Sequence, residues 1–303
     1  MAPKFTHLLT TFLMLLFSMQ LLLAQSRTLK SEGHHVGNTL KFLQSLKEVQ
    51  KGQNIIGLTE VKKHLMKFGY YPSGDANNLT DDFDESLESA LKTYQNFYQL
   101  EVTGNLDSAT IKKMMIPRCG VPDITNHTSS SKPTSTSHKS KMFHMVSHYD
   151  FPVGFPDGHL LIQNPNEQDM RSACSQAFQR WESVSQFKFQ EAPAGSHADI
   201  VIGFYRGDHG DEDPFDGPGN ILAHSFPPQD GRFHYDADED WSSNPNMNQM
   251  DLESVAVHEI GHLLGLAHSQ DSNAIMYATI PPGTIKRELT QDDIDGIHAL
   301  YDN

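Results

Sequence analysis

The feature that most constrains this chain is the run His258-Glu-Ile-Gly-His262, which is followed by Gly265 and His268. Apolar residues recur at helical spacing before and within it, which predicts a helix from about Leu252 to Leu264. Residues four apart share one face of a helix, so His258 and His262 point the same way. Gly265 can end the helix and turn the chain, which would bring His268 to the same place. Three imidazoles can hold one zinc ion and leave a fourth position open, as catalytic sites do.

Glu259 and a downstream methionine complete the pattern. Glu259 stands beside the first histidine, where a carboxylate can serve as the general base of a metal-dependent hydrolase. Ala274-Ile-Met-Tyr277 supplies a candidate methionine turn, with Met276 beneath the metal. A solvated helix that carries histidines by chance is the alternative, but the full set is the metzincin signature.

The composition is that of an acidic globular protein. At 303 residues the chain allows about two domains. The formal net charge of -15 argues against nucleic acid as a partner. Two cysteines, Cys119 and Cys174, are too few for a disulfide framework, although one disulfide between them stays an alternative. We expect Cys174 to be a free thiol packed as a small apolar residue.

Residues 1–26 have the pattern of a secretory signal peptide. Lys4 precedes an apolar run from Leu8 to Ala24, and a small-x-small cleavage pattern ends at Ser26. An uncleaved membrane anchor is the alternative, although the run is at the short end for a span. Secretion strengthens the prediction of two glycosylation sequons, at Asn78 and Asn126.

Residues 27–125 are predicted to form a small helical domain. Three apolar stripes repeat at three or four residues, so three helices can share one core. These stripes contain Leu40, Leu43 and Leu46, then Val61, Leu65 and Phe68, then Leu87, Leu91, Tyr94 and Tyr98. The polar segment that follows, 126–142, is typical of a linker open to proteolysis.

The helical domain ends in Pro117-Arg-Cys-Gly-Val-Pro-Asp123. Two prolines and a glycine exclude a helix and predict an extended, bent segment. The charge of Arg118 favours the thiolate of Cys119, and Asp123 can pair with Arg118 to fix the bend. A thiolate is a good zinc ligand, so Cys119 could fill the open metal position. An ordinary buried or disulfide-bonded cysteine is the alternative.

This cysteine segment, the histidine run and the methionine turn together resemble those of the matrix metalloproteinases, and plant-type members without a haemopexin domain fit best. The resemblance implies an α+β chain. A helical, peptidoglycan-binding-like propeptide would precede a metzincin-like catalytic domain, 143–303, with a twisted, mostly parallel sheet and the zinc helix. It also implies a zymogen that Cys119 keeps latent. The stretch 151–168 departs from the first strand usual in the family.

Two further metal sites are predicted between residues 209 and 239. Three imidazoles and one carboxylate suit a closed zinc site, and they match the structural zinc of the family: His209, Asp211, His224 and His234. Carboxylates and loop carbonyls suit calcium. By resemblance, side chains of Asp216, Asp236 and Glu239 and carbonyls of Gly217, Gly219 and Ile221 hold it. A second calcium site stays open.

Strands are predicted at 187–190, 199–204 and 221–226, and the last would pair with an extended substrate. The resemblance places Ser254, Ala278 and Ile280 around the pocket for the residue just after the cut. Because these side chains are small or apolar, we expect a deep, adaptable, apolar pocket that prefers leucine, methionine or phenylalanine.

These patterns predict a secreted, monomeric zinc endopeptidase without a stable membrane span, made as a latent zymogen. It would also bind calcium and would cleave extended proteins in the apoplast or extracellular matrix. A catalytically weak or inactive binding protein with the metzincin fold is the alternative. Another zinc metzincin hydrolase, or a carbohydrate-binding role for the helical domain, are further alternatives.

Overall fold

The computed structural model describes residues 42–46, 48–124, 146–150, 167–193 and 196–302. The chain divides into two compact units, Met1–Phe42 and Leu43–Asn303, and the features below belong to the second. The predicted signal peptide 1–26, the linker 126–142, Asn126 and most of the stretch 151–168 lie outside the described residues.

The first part of this unit is helical, as predicted. Its helices are α1 (Leu58–Lys67), α2 (Glu85–Phe97) and α3 (Ser108–Met114), and residues 43–45 are helical as well. Each of α2 and α3 begins at an aspartate whose side chain accepts a backbone N–H in the first turn, Asp84 for α2 and Asp107 for α3. The sequence analysis did not predict α3, because its seven residues are too short to show a clear apolar period.

A six-stranded sheet forms the centre of the second part. The strands are β1 (Arg118–Cys119), β2 (Val146–Asp150), β3 (Lys188–Glu191), β4 (Ile200–Tyr205), β5 (Ile221–Ser225) and β6 (Arg232–Asp236). Their order is β1-β5-β6-β4-β2-β3, and each neighbouring pair is parallel except β5 and β6. The mostly parallel sheet is therefore confirmed. The first strand after residues 126–142 is β2, which precedes the atypical stretch 151–168. Two short strands, β7 (Trp241–Ser242) and β8 (Met250–Asp251), form a separate pair.

Three helices complete the fold: α4 (Glu167–Val184), α5 (Leu252–Leu263) and α6 (Gln291–Tyr301). Every residue of α5 is buried, and its N-terminus is capped by Asp251, whose carboxylate accepts the Ser254 N–H at 2.9 Å. Trp181 of α4 donates its indole N–H to the Val257 carbonyl at 2.8 Å, which fixes α4 against α5. The helix predicted at 252–264 is confirmed, and so is the α+β fold class.

Gly265 takes the conformation that the turn after α5 requires. Its φ of +94° lies in the left-handed region that glycine adopts without steric cost. The chain turns there and returns toward α5 at His268. None of the helices within the described residues is long and apolar enough to cross a membrane.

Candidate active site

The three predicted histidines meet at one point. The Nε2 atoms of His258, His262 and His268 lie 3.0–3.3 Å from one another. Each Nδ1 atom faces an acceptor at 2.7 Å: the Ile275 carbonyl, the Leu266 carbonyl and the Asp123 carboxylate, respectively. Each Nδ1 therefore carries the proton, and each Nε2 presents a lone pair to the other two.

This arrangement suits a metal ion. Burial lowers the pKa of His258 and His262 to about 3 and the pKa of His268 to about 4, so all three rings are neutral at physiological pH. Three buried lone pairs at such short separations repel one another unless a cation lies between them. Neutral imidazoles with their second nitrogen hydrogen-bonded are typical zinc ligands. The Cys119 thiol joins this cluster, with all four ligand atoms within 4.8 Å of one another.

Glu259 lies beside the histidine cluster, and only one of its two carboxylate oxygens accepts a side-chain hydrogen bond. Its Oε2 accepts the Ser225 hydroxyl at 2.7 Å, whereas its buried Oε1 has no hydrogen-bond partner in the described part of the chain. Burial raises the pKa of Glu259 to about 7. The sequence analysis missed Ser225, because nothing local marks a serine at the end of β5 as a partner for a residue on α5.

The methionine turn packs against α5 beside its second histidine. An added Cβ on Gly261 would stand 2.3 Å from the Met276 sulfur, so the turn can approach the helix because residue 261 has no side chain. Asp293, a buried residue of α6, holds the turn in place: its carboxylate accepts hydrogen bonds from the N–H groups of Ile275 and Met276 at 2.9 and 3.0 Å. Since the Ile275 carbonyl holds His258, this contact also orients the first histidine.

The cysteine segment lies in the cleft between β5 and the chain after the methionine turn. On one side, β1 pairs with β5 in parallel, and the Gly120 N–H donates to the Ala223 carbonyl at 2.8 Å. On the other side, the Cys119 N–H donates to the Ala278 carbonyl at 3.0 Å. The edge of β5 that was predicted to pair with substrate is thus paired with the chain's own segment.

Arg118 and Asp123 form the predicted pair. Two guanidinium nitrogens of Arg118 lie 2.7 and 3.0 Å from the two carboxylate oxygens of Asp123. The charge of Arg118 favours the thiolate of Cys119, as expected, but burial and then Glu259 raise the pKa of Cys119 well above its usual range. Arg118 lowers this pKa, but burial outweighs it.

The predicted pocket residues Ser254, Ala278 and Ile280 line a cavity next to the histidines, together with Glu259. Its wall also contains Lys286, which the sequence analysis missed. The Ser254 hydroxyl donates to Asp251 at 2.6 Å and accepts the Lys286 N–H at 2.7 Å, so the loop that carries Lys286 is anchored to α5.

The second histidine cluster is also assembled. Asp211 Oδ2 lies 2.7 Å from His209 Nε2, 2.7 Å from His224 Nε2 and 2.8 Å from His234 Nδ1. All four ligand atoms lie within 4.8 Å of one another, as they would around one ion. Burial lowers the pKa of His234 to about 4, which leaves its ring neutral.

The predicted calcium carboxylates lie close together on the loop before β5 and at the end of β6. Burial, with a smaller contribution from neighbouring carboxylates that include Asp216, raises the pKa of Asp236 to about 7 and that of Glu239 to about 8. Asp236 Oδ2 is buried with no hydrogen-bond partner among the described residues. Gly217 and Gly219, two predicted carbonyl ligands, have φ of +80° and +79°. The third predicted carbonyl belongs to Ile221, whose N–H donates to Asp216 at 3.2 Å.

Two remaining predictions concern single residues. Asn78 is exposed at the end of a short 3-10 turn, Ala76–Asn78, which leaves its side chain accessible. Cys174 is buried and free, with its sulfur 3.9 Å from the Tyr235 hydroxyl, in agreement with a thiol packed in the core.

A mostly parallel sheet over a helix that carries two of three convergent histidines, with a carboxylate beside them, defines a metallopeptidase. Comparison with known proteins agrees. The family model for matrixins matches residues 160–302, and the family model named "Putative peptidoglycan binding domain" matches residues 57–114. The chain belongs to the matrixin family of metalloendopeptidases.

Individual relatives match most of the chain. It is 44% identical over 271 residues to Metalloendoproteinase 2-MMP of Arabidopsis thaliana, a match that covers 82% of this chain and 72% of the relative. It is 46% identical over 265 residues to Metalloendoproteinase 1 of Glycine max, covering 82% and 83%. It is 37% identical over 257 residues to Matrilysin of Homo sapiens, covering 82% and 87%.

Proposed function

We propose that this metalloendopeptidase is made as a secreted, latent zinc enzyme whose general base is Glu259. The observation that carries the proposal is the cluster of His258, His262 and His268, with their Nε2 atoms 3.0–3.3 Å apart and Glu259 beside them. The three neutral rings would hold zinc. Bound there, zinc supplies a Lewis acid that acidifies water and polarises the scissile carbonyl.

Glu259 would move the proton of the attacking water. Ser225 holds Oε2, so Oε1 stays free to accept that proton and to deliver it to the leaving amine.

The substrate would take the place of the cysteine segment. The edge of β5 and the Ala278 carbonyl already bind an extended backbone in this cleft. An extended peptide would form similar main-chain hydrogen bonds, which depend little on its sequence. Sequence preference would come from the cavity lined by Ser254, Ala278 and Ile280.

Because the residues predicted to line the pocket are small or apolar, we expect a large apolar side chain just after the cut. Each buried methylene contributes about 0.8 kcal/mol, so leucine should be preferred to alanine by at least about tenfold. Ser254 is small and does not fill the cavity, whereas arginine in its place would shorten it. Lys286 adds a cation to the wall, but its ammonium already donates to the Ser272 carbonyl at 2.9 Å.

Latency would come from Cys119, which lies within the same cluster as the three histidines. The propeptide, 27–125, would be released by cleavage in the linker 126–142, before the catalytic domain 143–303. The apolar run in 1–26 and the exposed sequon at Asn78 support a secreted glycoprotein. Its proposed substrates are extracellular proteins, and its proposed state is a monomer.

The other predicted ions would stabilise the catalytic domain. His209, Asp211, His224 and His234 have the composition of a closed zinc site with no position for substrate. The neighbouring carboxylates of Asp216, Asp236 and Glu239 favour calcium, because three such carboxylates without a cation repel one another.

Digestion of a random peptide library by the activated, zinc-loaded protein tests the proposal. Mass spectrometry should show cuts before leucine, methionine or phenylalanine, and Ser254→Arg should shift the preference toward smaller residues. Glu259→Ala is the control that should show none of these cuts. A wild-type preference for charged or small residues would contradict the pocket assignment, and equal cutting by Glu259→Ala would contradict the proposed catalysis.

A further inference from the structure

The three histidines differ in what holds their outer nitrogens. His258 and His262 donate from Nδ1 to the backbone carbonyls of Ile275 and Leu266, each at 2.7 Å. Both carbonyls belong to the same part of the chain as the histidines. His268 donates instead to Oδ1 of Asp123, also at 2.7 Å, across 145 residues of sequence.

Asp123 belongs to the cysteine segment, and other side chains of the helical part hold it in place. Its Oδ2 accepts the Tyr70 hydroxyl at 2.7 Å and the Tyr98 hydroxyl at 3.0 Å. Arg118 binds both of its oxygens. The side chains of Asp123 and His268 are each 0% exposed, so water does not compete for their contact.

We propose that Asp123 is a positioning residue for the zinc site, through which the propeptide supplies the outer hydrogen bond of the third histidine. A charged acceptor on Nδ1 fixes the proton there and makes Nε2 a stronger ligand, whereas a backbone carbonyl does so less. The latent chain would then bind zinc more tightly than Cys119 and three histidines alone would allow. This inference rests on the proposed zinc site.

The same contact couples zinc binding to propeptide docking. If Asp123 strengthens zinc binding at His268, bound zinc must strengthen the docking of the cysteine segment by an equal free energy. Propeptide release would therefore remove the thiol and the outer partner of His268 together. The propeptide would then stabilise the metal site in the precursor as well as block it.

Zinc affinity of the full-length chain tests the inference, measured by competition with a chromophoric chelator. Cys119→Ser serves as the background, so that loss of the thiol cannot explain any change. His262→Ala shows which step of the zinc titration belongs to the three-histidine site, because that step should disappear in this variant while zinc binding at the second cluster remains. In this background, Asp123→Asn should weaken zinc binding at that site by about 10–100-fold.

Tyr70→Phe in the same background is the matched control. It removes a hydrogen bond of the same length to Asp123 but leaves the contact with His268, so zinc affinity should stay unchanged. NMR of the zinc-loaded chain gives a second readout: the Nδ1 proton of His268 should move upfield in Asp123→Asn and stay in place in Tyr70→Phe.

A zinc affinity that Asp123→Asn leaves equal to that of its background would overturn the inference, and so would an equal loss in Tyr70→Phe. If Asp123→Asn does not fold, Asp123→Glu keeps the charge but displaces the carboxylate by one methylene, and the same comparison applies. If His262→Ala in the otherwise wild-type chain binds as much zinc as the wild type, the proposed function itself would be overturned.

Discussion

At the scale of single residues, the proposed chemistry depends on which oxygen of Glu259 is free. The Ser225 hydroxyl holds Oε2 at 2.7 Å and also donates to the Glu259 carbonyl at 3.0 Å, which fixes the side chain on the face of α5. Oε1 has no hydrogen-bond partner among the described residues. A serine hydroxyl can donate or accept, so an isosteric amide at position 259 can keep the same position.

We therefore predict that Glu259→Gln keeps its zinc and loses hydrolysis. The three histidines remain, so the metal content should match that of the wild type. The amide cannot accept the proton from water, and kcat should fall by at least about 10²–10⁴-fold, the usual contribution of a general base. Metal analysis and peptide hydrolysis of the activated variant check this, and near-normal kcat would remove Glu259 from its role.

The sequence predicted the residues of this site better than their partners. The spacing of His258, His262 and His268 is a local pattern, and local rules for helices and glycine turns suffice to bring these three together. Ser225 and Glu259 are 34 residues apart, and Asp123 and His268 are 145 apart. No short-range pattern marks such pairs, because the fold alone decides which surfaces meet.

At the scale of elements, α5 and the methionine turn are fitted to each other. Gly261 faces the Met276 sulfur and the Trp181 ring, and an added Cβ would stand 2.3 and 3.0 Å from their nearest atoms. The glycine lowers the intrinsic stability of the helix by roughly 0.5–1 kcal/mol relative to alanine. Gly261 must be small so that the methionine turn can pack against α5, where the Ile275 carbonyl accepts the hydrogen bond of His258.

We predict that Gly261→Ala destabilises the protein despite the better helix propensity of alanine. Overpacking a core costs about 1–3 kcal/mol, which exceeds the propensity gain. The displaced turn should also weaken zinc binding, because it carries the acceptor of His258. Denaturant unfolding and chelator competition measure both effects. Gly74→Ala is the control, since nothing lies within 4 Å of its added Cβ; equal behaviour of the two variants would contradict the packing argument.

Elements were predicted where their signals are local. The bounds of α5 follow from Asp251 at its start and Gly265 after its end. The sequence analysis did not predict β1 as a strand, because its two residues form a strand only by pairing with β5. The segment was predicted as extended, and its place on the sheet edge depends on the rest of the fold.

The predicted calcium loop should make stability depend on pH. Burial raises the folded-state pKa of Asp236 to about 7 and of Glu239 to about 8, above their usual 3.8 and 4.5. Without calcium, the folded state therefore holds more protons than the unfolded state between about pH 4 and pH 8, and stability falls as the pH rises through this range. Calcium neutralises the ionised carboxylates and should offset that loss.

We predict that calcium raises the thermal midpoint more at pH 8 than at pH 5. Melting curves of the zinc-loaded protein, with calcium or with a calcium-selective chelator, measure the difference. Asp236→Asn removes a charge and should reduce the effect of calcium at pH 8. Equal calcium effects at the two pH values would contradict calcium binding at these carboxylates.

At the scale of the whole molecule, the helical part and the catalytic part meet around the cleft. Lys67 pairs with Asp213 at 2.9 Å, and Lys113 donates to the Tyr277 hydroxyl at 3.1 Å. Such partly exposed contacts contribute about 0–1 kcal/mol each. The buried cluster of Cys119, Arg118 and Asp123 should therefore contribute most to holding the propeptide in place.

The measurement that tests the account most directly is peptide hydrolysis by the intact, zinc-loaded precursor with Cys119→Ser. The wild-type precursor should be silent until its linker is cut. The variant should hydrolyse peptide while its chain is still full length, because the serine hydroxyl is a far weaker zinc ligand than a thiolate. Cys119→Ser combined with Glu259→Ala should be silent. A folded, zinc-loaded Cys119→Ser precursor that is as silent as the wild type would contradict the account.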